Sequence, residues 1–363
     1  MPSRPPAIDG VAASRVQLPR GAWATVLDAL DALFPAVGRA AWEQRMRRGR
    51  VLDAAGAVLR ADARHRVGLE VYYYREVAGE VGTDAPMHVV HDGDGLLVVD
   101  KPHGLAVVPA GRHAADTVLA RLLRAGAAPG IAPLHRIDRD TAGLVMLSAD
   151  PATRALFQRL FAAGGIVKAY EALVVPPVAD LPPVHRSRLV RGTPFPRMRE
   201  VAGHPNSETR IAVMERGEFA WHCALSPVTG RKHQLRVHMA ALGAPIVHDP
   251  LYPVLNGTGE AGGNAAMSLT AGRVMATAAA TEHSAAPGAH SAAAHSPLEA
   301  DALPRLQLLA KALSFDDPVT GHPRRFESGR ALDMALMHGS GAPARAYAGP
   351  RVATETLAAR VGP

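Results

Sequence analysis

The chain has 363 residues, 48% hydrophobic and 20% charged, with a formal net charge of +7 and a single cysteine, Cys223. That length holds two domains or one large domain with appendages, and the composition is that of a globular protein. It excludes an intramolecular disulfide framework and the ~20 apolar residues of a membrane span, and the arginine-rich balance points to a phosphate-bearing partner such as nucleic acid.

The opening residues, MPSRPPAIDG, lack the apolar run of an export signal, so a cytoplasmic protein is expected. Residues 1–15 are rich in Pro, Ala and Ser and read as unstructured. In GAWATVLDALDALFP, the residues Val26, Leu27, Leu30, Leu33 and Phe34 recur at helical spacing, and Pro35 stops the helix. RAAWEQRMRR predicts a second short helix with Trp42 and Met46 on one face, followed by a turn at Gly56 and a strand in LEVYYYREV. This divides the start of the chain into an extension, residues 1–37, and a small basic unit, residues 38–85, suited to gripping RNA.

From residue 86 the texture changes. MHVVHDGDGLLVVDKPHGLAVVP predicts antiparallel strands around Gly-Asp-Gly turns. DTVLARLLRAG and PATRALFQRLFAAGG read as helices, whereas GLVMLSA, VKAYEALVV and EFAWHCALSP read as strands. HQLRVHMAALG is a helix with Leu235, Met239 and Leu242 on one face and Gly243 as its C-cap. Without regular βαβ alternation the expected class is α+β with a mainly antiparallel sheet. Residues 255–300 are low complexity, with scattered His283, His290 and His295, and read as a mobile insertion in a domain spanning 86–334. LPRLQLLAKALSF, a helix or a strand pair, returns to the core, and 335–363 reads as a flexible tail.

The stretch PLHRIDRDTAGL concentrates chemistry: His135 and Arg136 precede Asp138, Arg139 and Asp140. A kinase catalytic loop is excluded, because its Asp follows the Arg directly. A metal held by Asp138 and Asp140 would be repelled by Arg136 and Arg139. Two readings remain open from these residues alone: a turn of surface ion pairs, or one carboxylate kept ionised by cations and used as nucleophile or base.

The wider pattern resembles the RluA-type family of RNA pseudouridine synthases, of the RsuA/RluA superfamily. The family's His-Arg-Leu-Asp-Arg-Asp-Thr-Ser-Gly-Leu stands here as HRIDRDTAGL, with Ile137 for Leu and Ala142 for Ser. Lys101, Pro102, Gly104, Leu105 and Pro109 match its Lys-Pro-x-Gly-Leu-x-Val-x-Pro element, and Lys168, Tyr170 and Ala172 its Lys-x-Tyr-x-Ala strand. PVTGRKHQLRVHMAALGAPIVHDPLY is similar to its Thr-Gly-Arg-x-His-Gln-Ile-Arg-x-His motif, with Lys232 at the variable place and Leu235 for Ile. EQRMRRGRVLDAAG is similar to an S4-type RNA-binding domain.

The resemblance implies an isomerase, needing no cofactor and no metal, that breaks the N1–C1′ bond of uridine, turns the base and rejoins it through C5. It implies Asp138 as the carboxylate that attacks C1′ or removes the C2′ proton, and both routes stay open. It implies Arg236 as the cation that pairs with Asp138 and Tyr170 as the aromatic that stacks on the base and assists proton removal at C5. His135, Arg136, Arg139, Lys168, Arg231, Lys232 and His233 are candidate RNA contacts, with His135 and Arg136 also shaping the loop. Asp140 reads as structural, bonding loop amides. The implied partner is structured RNA, 23S ribosomal RNA or tRNA, bound by a monomer away from any membrane. Two rivals are a catalytically inactive RNA-binding assembly factor of the same fold and a metal-dependent nuclease using Asp138 and Asp140. Asp138, Tyr170 and Arg236 standing together favour the enzyme, because a pure binder has no use for that trio.

Overall fold

A computed structural model describes residues 5–77, 79–80, 82–111, 113–253 and 304–339. These form two compact units, one within Met1–Tyr170 and Leu309–Ala331, the other within Glu171–Leu308 and Leu332–Pro343.

The first unit begins with β1 (Ser14–Gln17), α1 (Val26–Leu33), α2 (Arg39–Arg47), β2 (Val51–Asp53) and β3 (Glu70–Tyr73). Thr25 caps α1: its hydroxyl accepts from the Asp28 amide at 3.1 Å, and the Asp28 carboxylate accepts from the Thr25 amide at 3.0 Å. Two amides that a helix start leaves without partners are thereby satisfied. The strands pair antiparallel in the order β1-β3-β2. Leu18, Val26, Leu30, Trp42, Met46 and Val71 close one core against them.

The expected boundary between residues 37 and 38 therefore falls inside a single core, because the apolar face of α1 is filled by Trp42 and Met46 from α2. Residues 1–15 also differ from expectation. Val11 and Ala13 are buried, Ala13 packs with Tyr72 and Tyr74, and the Tyr74 hydroxyl donates to the Pro6 carbonyl at 2.6 Å. The partners of this Pro- and Ala-rich stretch lie about sixty residues further on, beyond the reach of local composition.

A hairpin of β4 (His88–Gly93) and β5 (Leu96–Lys101) follows. Its turn residues Asp94 and Gly95 take φ of 52° and 73°, as a tight two-residue hairpin requires. The chain continues through α3 (Val118–Arg124), β6 (Ala132–Pro133), β7 (Ala142–Ser148), α4 (Arg154–Ala162) and β8 (Val167–Val174). β7 is buried at every residue and pairs antiparallel with β5.

In the second unit β9 (Val184–Arg191), β10 (Met198–Val201), β11 (Ser207–Arg216) and β12 (Trp221–Pro227) form an antiparallel sheet ordered β10-β9-β11-β12, accompanied by α5 (Gln234–Ala241). Cys223 on β12 is fully buried, and burial pushes its thiol up to about 11. LPRLQLLAKALSF resolves as a strand, β13 (Leu308–Asp316), which returns to the first unit, lies parallel to β7 and pairs antiparallel with β14 (Pro323–Glu327). The class is α+β, with this parallel contact inside a mixed, mostly antiparallel sheet.

Gly143 makes the β7–β13 contact possible. Its φ is +109°, and a Cβ there would collide with the Ala310 carbonyl. We expect Gly143→Ala to destabilise the protein by about 2–4 kcal/mol, the sum of backbone strain and overpacking. Urea unfolding checks this, and an unchanged midpoint would mean that β13 shifts freely.

The insertion read at 255–300, its three histidines, and residues 340–363 of the expected tail lie outside the described residues. The start of that tail is ordered: Met334–Met337 is a 3-10 turn with Met337 fully buried. No helix among the described residues is long and apolar enough to cross a membrane.

Candidate active site

The loop bearing Asp138 joins β6 to β7 and is pinned on both sides. The Met146 amide of β7 donates to His135 Nε2 at 3.0 Å, and the His135 ring lies 4.9 Å from that of Phe161. Ile137 is buried with Leu97, Val99, Leu105 and Val145, which explains an aliphatic residue between two charged ones. The Asp138 carbonyl accepts from the Thr141 amide at 3.2 Å, turning the chain into β7.

The segment after β5 grips the loop from the other side. Lys101 Nζ donates to the carbonyls of Pro102, at 3.0 Å, and Arg139, at 2.9 Å. His103 Nδ1–H donates to the Asp140 carbonyl at 2.7 Å. Burial pushes Lys101 down to about 7, and the charges of Asp140 and Asp138 oppose that shift. A neutral amine still carries hydrogens for both carbonyls. Below it, the buried Asp100 carboxylate accepts from the Ser328 hydroxyl at 2.9 Å, the Gly329 amide at 3.1 Å and Arg330 Nε at 3.2 Å. The segment after β14 thus props the base of the site.

Tyr170, on β8, packs against the Ile137 core. Burial first, and the negative charge of Asp138 second, hold its phenol above the usual value, so it stays protonated at neutral pH. Asp138, Tyr170 and Lys101 therefore share one electrostatic neighbourhood. Lys168 is lowered by burial. Burial, helped by the charge of Lys168, pushes His135 down to about 4.

The His135 side chain turns inward and acts as an acceptor for β7, the loop-shaping task expected of it. One expectation changes. The Asp140 carboxylate, expected to bond loop amides, accepts from Arg139 Nε at 2.8 Å, because that side chain reaches it first. Arg136 and Arg139 are exposed, and Arg139 Nη1 also lies 3.0 Å from His113 Nε2.

The second unit gathers Arg231, Lys232, His233 and Arg236 at the start of α5. Arg231 Nε donates to the Asn206 carbonyl at 3.0 Å, and Lys232 Nζ sits 4.8 Å over the Phe195 ring. His233, in the left-handed region with φ of 53°, bonds the Tyr252 hydroxyl through Nδ1 at 2.8 Å. Arg236 is 2% exposed, and the Asp249 carboxylate receives both its Nε and its Nη2 at 2.7 Å. Asp249 also accepts from the amides of Leu251 and Tyr252. The Arg236 guanidinium lies 5.4 Å from the Tyr252 ring centroid.

Lys101, Asp249 and Tyr252 stand within the matched stretches, yet only the folded chain gives them a task. The signal was present in DKPHGL and in HDPLY; the partners were tertiary.

Among the described residues, His185, Glu200 and His238 bring ligand-type atoms within 4.8 Å of one another. Each is already engaged: His185 Nε2 with Glu200 at 2.9 Å, and His238 with the hydroxyls of Thr209, Ser207 and Ser187. The group reads as a hydrogen-bonded network. Burial, with the charge of His185, pushes His238 down to about 4.

Both depressed imidazoles carry a stability prediction. The folded protein holds His135 and His238 neutral while the unfolded chain protonates near pH 6.5, so their contribution is present above that pH and is lost as pH falls towards 4. We expect the urea midpoint to fall across this window, and His135→Gln to flatten the slope by about one proton. An identical slope would place that imidazole in water.

Residues 95–241 match the family model described as RNA pseudouridylate synthase. The ribosomal large subunit pseudouridine synthase D of Pseudomonas aeruginosa is 31% identical over 227 residues, which cover 61% of this chain and 71% of that protein. The dual-specificity RNA pseudouridine synthase RluA of Pasteurella multocida is 32% identical over 47% of this chain and 78% of its own length. The mitochondrial tRNA pseudouridine(32) synthase of Saccharomyces cerevisiae is 30% identical over 47% of this chain and 38% of its own length.

Proposed function

The chain belongs to the RluA-type RNA pseudouridine synthases, enzymes that isomerise uridine in RNA, and we propose that Asp138 is the carboxylate which opens the reaction. The observation that carries this is the clamped loop: Lys101, His103, His135 and Ile137 hold the backbone around Asp138 while Tyr170 lies within reach of its charge. A group that must meet C1′ or C2′ of one ribose gains from being held in place before substrate arrives.

In this reading the target uridine leaves its stack and lies on Tyr170, which burial keeps as a neutral phenol able to face a base and donate a hydrogen bond. Asp138 then attacks C1′ or removes the proton at C2′, the N1–C1′ bond breaks, and the turned base rejoins through C5. Atoms balance without oxidant or group carrier. Arg236 is the proposed cation for Asp138, and Asp249 is the residue that presents it. Arg136, Arg139, Lys168, Arg231, Lys232 and His233 are proposed to meet RNA, through phosphate for the arginines. The substrate is proposed to be structured ribosomal RNA or tRNA, acted on by a cytoplasmic monomer, since flipping costs least in loops. The α1–α2 unit with its three strands is proposed to add RNA contacts.

Single-nucleotide pseudouridine mapping of total RNA from a deletion strain tests the reading. Specific uridines should lose modification and regain it when the wild-type gene is supplied. An unchanged map would overturn it.

A further inference from the structure

We propose that the turn joining β9 to β10 is a stacking platform for one unpaired RNA base, fed by a row of arginines on the outer face of the same strands. The proposal rests on the family reading above and specifies how RNA is held. Phe195 stands in the turn 192–197 and is 88% exposed. A single exposed aromatic is ordinary on a protein surface. Here three further features accompany it.

Lys232 Nζ lies 4.8 Å over the ring, so a cation already marks this aromatic face. Pro194 and Pro196 flank Phe195 and restrict the turn, which lowers the ordering cost of presenting the ring. The register supplies charge. Arg199 pairs across from Val190, and Arg210 from Val184, so Arg188, Arg199 and Arg210 project from one face of β9, β10 and β11. The opposite face buries Leu189, Ser207 and Thr209. All three arginines are exposed and form no ion pair among the described residues. Unneutralised guanidinium groups beside an exposed aromatic match the backbone-tracking and base-stacking pattern of single-stranded RNA binding. A protein partner would need an acidic face to answer the same row.

Within the second unit the platform is fastened to the surroundings of Arg236. The Tyr252 hydroxyl oxygen accepts from the Met198 amide, immediately after the turn, at 2.8 Å, and its ring lies beside the Arg236 guanidinium. A platform held in this way selects unpaired RNA, whose bases are free to stack on it.

The test uses the full-length protein and fluorescence anisotropy with two probes: a stem–loop RNA with a seven-nucleotide uridine-containing loop, and the blunt duplex of the same stem. Wild type should favour the stem–loop. Phe195→Ala should weaken stem–loop binding about ten-fold, leave duplex binding and the unfolding midpoint unchanged, and be rescued by Phe195→Trp. Arg199→Ala should weaken both probes and reduce the salt slope by about one. Wild type without loop preference, or Phe195→Ala binding the stem–loop as tightly as wild type, overturns the platform. Pseudouridine mapping is read separately: modification that persists while Phe195→Ala binds normally sinks the platform alone. Loop binding through Phe195 by a chain that modifies nothing would sink the enzymatic reading instead.

Discussion

Asp138→Asn should abolish pseudouridine formation while leaving RNA affinity within a few-fold of wild type. The amide keeps the size of the carboxylate and can still hydrogen bond, yet it neither attacks a carbon nor accepts a proton at neutral pH. The fold should tolerate the change, because the loop is held by the backbone contacts of Arg139 and Asp140 and by the side chains of His135 and Ile137. Turnover and binding measured on the same RNA separate the two effects. Near wild-type turnover would remove Asp138 from the chemistry; a variant that neither turns over nor binds would show that the carboxylate instead positions RNA.

Arg236→Met should cost several orders of magnitude in turnover and, separately, stability. The second effect follows from Asp249. Removing the guanidinium strands a carboxylate that is 1% exposed, and losing one partner of a buried pair costs about 3–5 kcal/mol. The two backbone amides that Asp249 retains should keep the loss towards the lower end. Arg236→Met combined with Asp249→Leu replaces both charges with apolar groups and should recover most of the stability without recovering activity. This double variant separates a catalytic cation from a structural one: if stability and turnover return together, Arg236 serves the fold alone.

The parts of the site that could be read in the sequence are those written locally. Asp138, Arg139 and Asp140 sit within three consecutive residues, and Tyr170 lies in a short strand with a recognisable pattern. Helix α1 was readable from its apolar spacing and Pro35, but its membership of one core with α2 was not, because that depends on where Trp42 packs. β9 to β11 escaped for a physical reason: their outer face is occupied by Arg186, Arg188, Glu208 and Arg210, so no apolar run marks them. Asp249 as the partner of Arg236 is legible only once the turn after α5 brings residues thirteen apart together.

The β7–β13 pairing also has a consequence for the birth of the enzyme on the ribosome. Ala142 and Gly143 wait for Leu309 and Ala310, which are synthesised about 170 residues later, and Asp100 waits still longer for Ser328 and Arg330. At translation rates of about 5–20 residues per second, the first half of the molecule spends roughly 8–35 seconds without a neighbour it is built to contact. Closing so distant a pair is slow compared with forming a local hairpin. The proposed catalytic loop is therefore encoded early and completed late, and a nascent chain should remain inert towards the RNA that surrounds it until Arg330 has been translated.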